Sequence, residues 1–160
     1  MPNMLLALKK ELLDKVAYAE GESIQTIYFG GGTPRLVAAT ELKGIIEVIQ
    51  SNYSLGENIE YTLECNPDDL SPSILQAYKN IGINRLSIGI QSFDEDKLTF
   101  LNRAHKASEA FACIKDAQAV GFDNITIDLI YGLPDTDESY WQRQVDLATQ
   151  LNVPHISAYC

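Results

Sequence analysis

Three consecutive glycines, Gly30, Gly31 and Gly32, end the β-forming apolar run 24–29, which predicts a buried strand, and are followed by Thr33 and Pro34. Glycine has no Cβ and weakens a strand, so such a run is typical of a close turn, of a backbone that approaches a ligand, or of both. Neither a Gly-x-Gly-x-x-Gly pattern nor a following Gly-Lys-Ser/Thr is present. A strand-to-helix turn without a ligand fits these residues as well as a binding loop does.

Polar side chains stand at the ends of three other predicted strands. Glu64 ends an apolar strand, Gln91 follows the next one, and Asp128 interrupts the apolar run 125–130. A lone buried acid is often a satisfied structural group, but several polar groups at one edge indicate a site. Carboxylates and an amide supply the acceptors and the donor that ribose hydroxyls or an ammonium group require. The residues alone therefore predict a polar, glycine-lined site for a small molecule with a sugar or amino-acid moiety, and they name no reaction.

Length and charge restrict the class of protein. The chain has 160 residues, 46% of them hydrophobic, which predicts one domain around one core. Its net charge of −10, with only 12 Lys and Arg, argues against a nucleic acid or an anionic membrane as partner. No stretch reaches the roughly 20 apolar residues of a membrane span. Residues 1–13 carry Lys9, Lys10 and Glu11 where a signal peptide needs an apolar stretch, so we expect a cytoplasmic protein.

The cysteines do not suggest a metal site. Cys65, Cys113 and Cys160 are odd in number and far apart, which fits neither a disulfide framework nor a Cys-x-x-Cys motif. Each is predicted to be a small, buried residue.

Strand and helix patterns alternate along the whole chain. An amphipathic helix opens the chain, and further helices are predicted from residues 40–41, 71–72, 94 and 108 and around Trp141. Strands are predicted at residues 24–29, 59–65, 86–90, 125–131 and 154–159. Such alternation builds a parallel sheet with flanking helices, either an open doubly wound sheet or a (β/α) barrel. Both bind ligands at the carboxyl ends of the strands.

Six segments, in this order, resemble the radical S-adenosylmethionine family of oxygen-independent coproporphyrinogen III oxidases. They are Tyr-Phe-Gly-Gly-Gly-Thr-Pro at 28–34, Glu-Cys-Asn-Pro-Asp at 64–68, Asn-Arg-Leu-Ser-Ile-Gly-Ile-Gln-Ser-Phe at 84–93, Leu-Asn-Arg-Ala-His at 101–105, Ile-Asp-Leu-Ile-Tyr-Gly-Leu-Pro at 127–134 and His-Ile-Ser-Ala-Tyr at 155–159. The Arg-Ala-His triplet and the last segment are most similar to the HemW branch of haem chaperones. The resemblance covers essentially the whole chain. It implies a partial radical SAM (TIM-like) barrel, with residues 1–160 as its single, central domain.

The resemblance also implies roles for particular residues. Gly30, Gly31, Gly32 and Thr33 match the segment that receives the amino and carboxylate ends of S-adenosylmethionine. Glu64, Gln91, Arg103 and Asp128 match positions that hold the polar portions of that cofactor, with Gln91 and Asp128 as ribose partners. Without the resemblance, Arg103 would be interpreted as half of an ion pair on a helix surface.

One departure from the family pattern limits these expectations. The family binds a [4Fe–4S] cluster through a Cys-x-x-x-Cys-x-x-Cys loop, which this sequence lacks. We therefore expect a piece that begins after the first barrel strand, lacks the C-terminal domain, holds no cluster and is catalytically inert. Its strand edges at 24–29 and 154–159 are expected to allow self-association.

For the complete protein, three functions stay open. It is a haem chaperone, an oxidase that decarboxylates coproporphyrinogen III, or a non-catalytic (β/α) domain. Haem or a porphyrinogen is the partner in the first two. The haem-ligand candidates His105, His155 and Tyr159 are each better explained by a structural role, so no ligand is assigned.

Overall fold

A computed structural model describes residues 2–31 and 37–160 of the chain. The predicted site residues Gly32 and Thr33 lie outside the described residues. The helices are α1 Pro2–Asp14, α2 Ala39–Asn52, α3 Pro72–Asn80, α4 Glu95–Phe100, α5 Ala107–Val120 and α6 Glu138–Thr149, with 3₁₀ turns at Val16–Ala19 and Pro67–Asp69. The strands are β1 Ile24–Phe29, β2 Leu55–Cys65, β3 Arg85–Gln91, β4 Asn124–Ile130 and β5 His155–Tyr159.

The five strands form one parallel sheet in the order β1-β2-β3-β4-β5. Each strand pairs with its neighbour along the chain. Right-handed crossovers that always add the next strand on the same side place every helix on the same face. A doubly wound sheet would reverse its strand order instead. The sheet is therefore a curled half-barrel with flanking helices, as expected, and the doubly wound alternative is wrong.

The outer face of the sheet is apolar and packs under the helices. In β3, Leu86, Ile88 and Ile90 are completely buried, and they alternate with residues that point to the other face. The same core contains side chains from the neighbouring strands and helices: Leu42, Ile46, Tyr61, Leu63, Leu75, Tyr78, Ile114, Ala117, Phe122, Ile125, Ile127, Leu129 and Ala148. Burial of these side chains against α2, α3, α5 and α6 drives the sheet to curl around its polar face.

The concave inner face is polar. Near its middle, the Arg85 guanidinium donates to Glu60 Oε1 at 3.3 Å and to Thr62 Oγ1 at 3.4 Å through Nη1, and to Thr126 Oγ1 at 2.6 Å through Nη2. This network joins β2, β3 and β4. It satisfies hydroxyls that the curl of the sheet buries, since Thr62 and Thr126 are almost inaccessible.

Helix starts follow the sequence signals closely. Ser71 caps α3 by accepting from the Ile74 N–H, and Asp94 caps α4 by accepting from the Lys97 N–H at 3.0 Å. Gly121 ends α5 in the left-handed conformation, with φ of 94°. Among the described residues, no helix combines the length and the apolar character that crossing a membrane requires.

Two local expectations were wrong. β1 was expected to be buried, yet none of its residues is, because it is an edge strand with a polar concave face on one side. β2 begins at Leu55 rather than at residue 59, because Leu55 pairs with Ile24 ahead of a register shift. Residues 55–58 therefore extend the strand.

Candidate functional site

A cleft of about 210 Å³ lies where the carboxyl ends of β1 to β4 meet. It is lined by Gly31, Glu64, Cys65, Asn66, Gly89, Gln91, Arg103 and Asp128. Every predicted site residue within the described part of the chain either lines this cleft or, in the case of Gly30, adjoins a residue that does. Four separate strand ends and the turn after α4 thus bring these polar groups together.

The first wall of the cleft joins β1 to β2. The Gly31 N–H donates to Glu64 Oε2 at 2.8 Å, with Gly31 at a φ of 84°. A Cβ on Gly30 would lie 2.8 Å from the same carboxylate oxygen, so the glycine backbone packs directly against Glu64. A side chain at Gly30 would have to displace Tyr28 and Glu64, and the positive φ of Gly31 disfavours other residues there, which gives these two glycines a structural reason.

The floor of the cleft is Gly89, in the middle of β3. A Cβ on Gly89 would lie 2.7 Å from Gln91 Nε2 and 3.0 Å from Arg103 Nη2. The side chains of Gln91 and Arg103 therefore fold back over this glycine. Their N–H groups converge above it, as donors for a bound ligand would have to.

Arg103 is anchored by two acceptors. Its Nη2 donates to Asn66 Oδ1 at 2.7 Å and to the Gly89 carbonyl at 3.0 Å. Asn66 in turn donates to Asp69 Oδ2 at 3.3 Å. Arg103 follows α4 rather than lying on its surface, so the interpretation as a helix-surface ion pair is not supported. The guanidinium keeps further N–H donors for a ligand.

Gln91 has an unusual backbone. Its φ is 68°, in the left-handed region that residues other than glycine rarely occupy, and the β3–β4 register shifts between Ile88 and Gln91. Backbone strain of this kind is common at ligand sites. Here it turns the Gln91 side chain into the cleft instead of along the strand.

Asp128 forms the wall opposite Glu64. Ser87 Oγ donates to Asp128 Oδ2 at 3.5 Å. Burial raises the pKa of Asp128; a hydrogen bond from Ser157 opposes this shift, and the negative charge of Glu64 adds to it. Burial also raises the pKa of Tyr28, whose hydroxyl is hydrogen-bonded to Ser87. Two carboxyl groups share the cleft, which favours a ligand that brings positive charge and hydroxyl donors.

Sequence reasoning did not select three of the lining residues: Cys65, Asn66 and Gly89. Cys65 was predicted only to be a small, buried residue. Asn66 was noted at a strand end but was not selected, although it follows β2 directly and precedes Pro67. Gly89 went unnoticed. A single glycine inside a strand indicates close backbone approach, so this signal was available.

His105, His155 and Tyr159 are not among the residues that line the cleft. His105 is buried, with Nε2 3.1 Å from the Ile90 carbonyl, and burial lowers its pKa. It is a packed histidine, as its sequence context allowed. His155 and Tyr159 are exposed on the edge strand β5.

The cysteines show no metal arrangement. Cys65 and Cys113 are buried as predicted, whereas Cys160 is exposed. Burial raises the pKa of the Cys65 thiol and raises that of Cys113 to about 12. Across residues 2–31 and 37–160, no group of three His, Cys, Asp or Glu side chains could hold a metal ion.

The comparisons with known families and proteins agree with the resemblance found in the sequence. A family model described as the radical SAM superfamily matches residues 5–147. The heme chaperone HemW of Bacillus subtilis (strain 168) is 35% identical over 156 residues, covering 97% of this chain and 41% of that protein. HemW of Escherichia coli (strain K12) is 36% identical over 152 residues, covering 95% of this chain and 40% of that protein. The chain thus spans about 40% of the length of these curated relatives.

Solved structures agree on the architecture. Coproporphyrinogen III oxidase (HemN) from Escherichia coli, described as a radical SAM enzyme, superposes with a TM-score of 0.84 at 26% identity, over 98% of this chain and 36% of that one. The archaeal Elp3 of Methanocaldococcus infernus superposes with a TM-score of 0.79 at 13% identity, over 99% of this chain and 43% of that one. The second similarity shows the fold alone.

Proposed function

Because the chain belongs to the radical SAM superfamily, we propose that the cleft at its strand ends binds S-adenosylmethionine. The proposal rests on one observation above all: Gly31, Glu64, Gln91, Arg103 and Asp128 line the same cleft. Gly30, Gly32 and Thr33 are proposed to extend the site along the glycine run.

The chemistry of the lining residues fits this cofactor. S-adenosylmethionine carries a sulfonium, an ammonium, a carboxylate and two ribose hydroxyls. Glu64 and Asp128 supply acceptors for the cationic groups and the hydroxyls, and Arg103 supplies donors for the carboxylate. Gln91 can do both. Because Gly89 has no Cβ, the Gln91 and Arg103 side chains can lie directly over it and present their N–H groups to a ligand in the cleft.

The cysteines do not fit an iron–sulfur cluster. Such a cluster is held by neighbouring cysteine thiolates and, in this family, supplies the electron that cleaves the sulfonium. Cys65 and Cys113 are buried with raised thiol pKa values, and Cys160 is exposed on a separate strand end. No radical step is assigned to these residues. That the chain is catalytically inert on its own stays a prediction.

The complete protein is proposed to be a haem chaperone of the HemW type. Support comes from relatives of that name at 35% and 36% identity over nearly all of this chain. Haem is accordingly the proposed cargo, and the cytoplasmic location expected from the sequence stays a prediction. The segment described here would supply the cofactor-binding part of the barrel.

A second candidate is an oxygen-independent coproporphyrinogen III oxidase. The superposition on HemN, with a TM-score of 0.84, favours it. A longer form that supplies the Cys-x-x-x-Cys-x-x-Cys loop would separate the two functions. Release of 5′-deoxyadenosine coupled to vinyl formation from coproporphyrinogen III would support the oxidase. A haem-dependent shift of the Soret band without that turnover would support the chaperone.

Binding itself can be tested on this chain. The ¹⁵N-labelled chain is titrated with S-adenosylmethionine, and separately with S-adenosylhomocysteine, which lacks the sulfonium charge. We expect saturable shifts of the Gly31, Gly89 and Gln91 amides, with tighter binding of the charged compound. If no saturable shift occurs at millimolar ligand, a non-catalytic (β/α) domain becomes the better interpretation.

A further inference from the structure

A buried polar cluster lies directly behind Gln91. It consists of Ser92, Tyr140 and Gln144, and it is called the Ser92 cluster below. All three residues are buried, with Ser92 completely inaccessible. None of them lines the cleft, so the site described above does not explain them.

The hydrogen bonds of the cluster use the donor and both acceptor positions of the Ser92 hydroxyl. Its hydroxyl donates to Gln144 Oε1 at 3.3 Å and lies 2.7 Å from Tyr140 Oη, which is left to act as a donor. The Asp94 N–H also donates to Ser92 Oγ, at 3.0 Å. Because Tyr140 and Gln144 belong to α6, the cluster ties this helix to the end of β3.

Gln144 also holds the backbone after Ser92. Its Oε1 accepts from the Phe93 N–H at 2.7 Å. Ser92 N–H donates to the Ile90 carbonyl at 2.9 Å, closing a tight turn around Gln91. The residues before and after Gln91 are thereby fixed, while Gln91 itself occupies the left-handed region with φ of 68°. An unfavourable conformation persists only where its surroundings enforce it.

We infer that Gln144 is a positioning residue that acts through the Ser92 cluster: it holds Gln91 in its left-handed conformation and keeps the Gln91 amide over Gly89. As far as ligand binding is concerned, this inference rests on the proposed function. It extends that function to Gln144 of α6, a residue that does not line the cleft.

The experiment uses three variants of the cluster and one control variant. Gln144→Leu removes the acceptor for Phe93 and Ser92, and Gln144→Glu keeps a carboxyl oxygen there. Tyr140→Phe removes one hydroxyl from the cluster and is the milder change should Gln144→Leu not fold. Gln118→Leu is the matched control, because Gln118 Nε2 donates to the Leu151 carbonyl at 2.9 Å at the opposite end of the sheet.

The first measurement needs no ligand. A residue with a positive φ gives a strong nuclear Overhauser cross-peak between its own HN and Hα protons. The intensity of this peak for Gln91 therefore reports its backbone conformation. We expect it to weaken in Gln144→Leu and in Tyr140→Phe, to return in Gln144→Glu, and to be unchanged in Gln118→Leu. An unchanged Gln91 cross-peak in both Gln144→Leu and Tyr140→Phe would overturn the inference.

The second measurement is the Kd for S-adenosylmethionine. Loss of one well-oriented amide contact predicts affinity about five- to tenfold weaker in Gln144→Leu, with Gln144→Glu and Gln118→Leu near the parent value. Equal affinity of the parent and Gln144→Leu would contradict the positioning role. If the parent chain does not bind the compound, the proposed function fails, and the Gln91 cross-peak still decides the inference.

Discussion

The backbone N–H of Gly31 donates a 2.8 Å hydrogen bond to Glu64 Oε2, joining the carboxyl end of β1 to that of β2. One carboxylate oxygen is thus engaged by the glycine turn, and the side chain is held against the cleft wall. Glu64 is therefore both a structural acceptor and a source of negative charge, and substitutions can separate the two roles.

Glu64→Gln keeps an oxygen acceptor for Gly31 but removes the charge. We expect S-adenosylmethionine to bind at least about tenfold more weakly, because hydrogen bonds to charged groups contribute roughly 1.5–3 kcal/mol. Isothermal titration calorimetry measures this change. Glu60→Gln is the matched control, since Glu60 lies on the same face of β2 but pairs with Arg85 at 3.3 Å. Equal losses in both variants would mean that the charge of Glu64 has no specific role.

Gly89→Ala places a methyl group where Gln91 Nε2 and Arg103 Nη2 now lie. Both are tips of flexible side chains, so we expect the free energy of unfolding to fall by no more than about 1 kcal/mol, the low end for overpacking. The two donors must move, and ligand affinity is expected to fall by about tenfold or more. Chemical denaturation and calorimetry on the same sample measure the two effects. A variant that binds normally would show that binding does not depend on the position of these two donors over Gly89.

Asp128→Asn tests the electrostatics of the opposite wall. Burial raises the pKa of Asp128, so the folded state holds its proton more tightly than the unfolded state does. Protonation of Asp128 therefore stabilises the folded state. This contribution is fully present below the unfolded pKa of about 3.9 and is lost as pH rises through the folded pKa. We therefore expect Asp128→Asn to be more stable than the parent chain at pH 7, with the difference shrinking toward pH 4. Urea unfolding across this range measures it.

Asp137→Asn should change the stability of the chain at pH 7 in the opposite direction to Asp128→Asn. Hydrogen bonds from the Tyr140 N–H and the Ser139 hydroxyl lower the pKa of Asp137 at the start of α6. Its contribution is present above the unfolded pKa and is lost as pH falls through the folded pKa. We expect this variant to be less stable than the parent at pH 7. The same direction of change in both variants would contradict the assignment for Asp128.

Gly44→Ala should stabilise the chain. Gly44 lies inside α2, and the atoms nearest to an added Cβ belong to the end of the Lys9 side chain, which can swing away. Alanine is favoured over glycine inside helices by about 0.5–1 kcal/mol. Thermal and urea unfolding measure the gain. Gly121→Ala is the informative counterpart, because its φ of 94° should make the same change destabilising by about 1–2 kcal/mol.

Self-association is predicted to occur through the two edge strands of the sheet. Within residues 2–31 and 37–160, β1 and β5 each pair with one strand only, which leaves backbone groups available to another chain. We expect concentration-dependent association in analytical ultracentrifugation, weakened about tenfold when lysines are placed on both edges by Thr26→Lys and Ala158→Lys. Both positions are exposed, so folding should be unaffected. A monomer at all concentrations would exclude association through these edges.

The convergence of the site was predictable because all five strand ends of a parallel sheet point the same way. Glu64, Gln91 and Asp128 could be selected as strand-end polar residues before any coordinates were known. The choice between a barrel and a doubly wound sheet was also encoded, since residues 85–91 alternate polar and apolar, as a strand with only one helix-covered face does. That alternation was not used.

Other features depend on tertiary contacts that local patterns do not report. The left-handed conformation of Gln91 is enforced by Gln144 of α6, which lies 52 residues after Ser92 in the chain. The low burial of β1 follows from its position at the sheet edge. An apolar run such as residues 24–29 looks the same at the edge and at the centre, so its exposure could not be predicted from its own residues.

The uninterrupted strand order has a consequence for biosynthesis. Because each strand pairs with the one made just before it, a nascent polypeptide leaving the ribosome always meets a docking partner that has already been synthesised. Assembly of β1 to β5 can then advance one βα unit at a time in the order of synthesis.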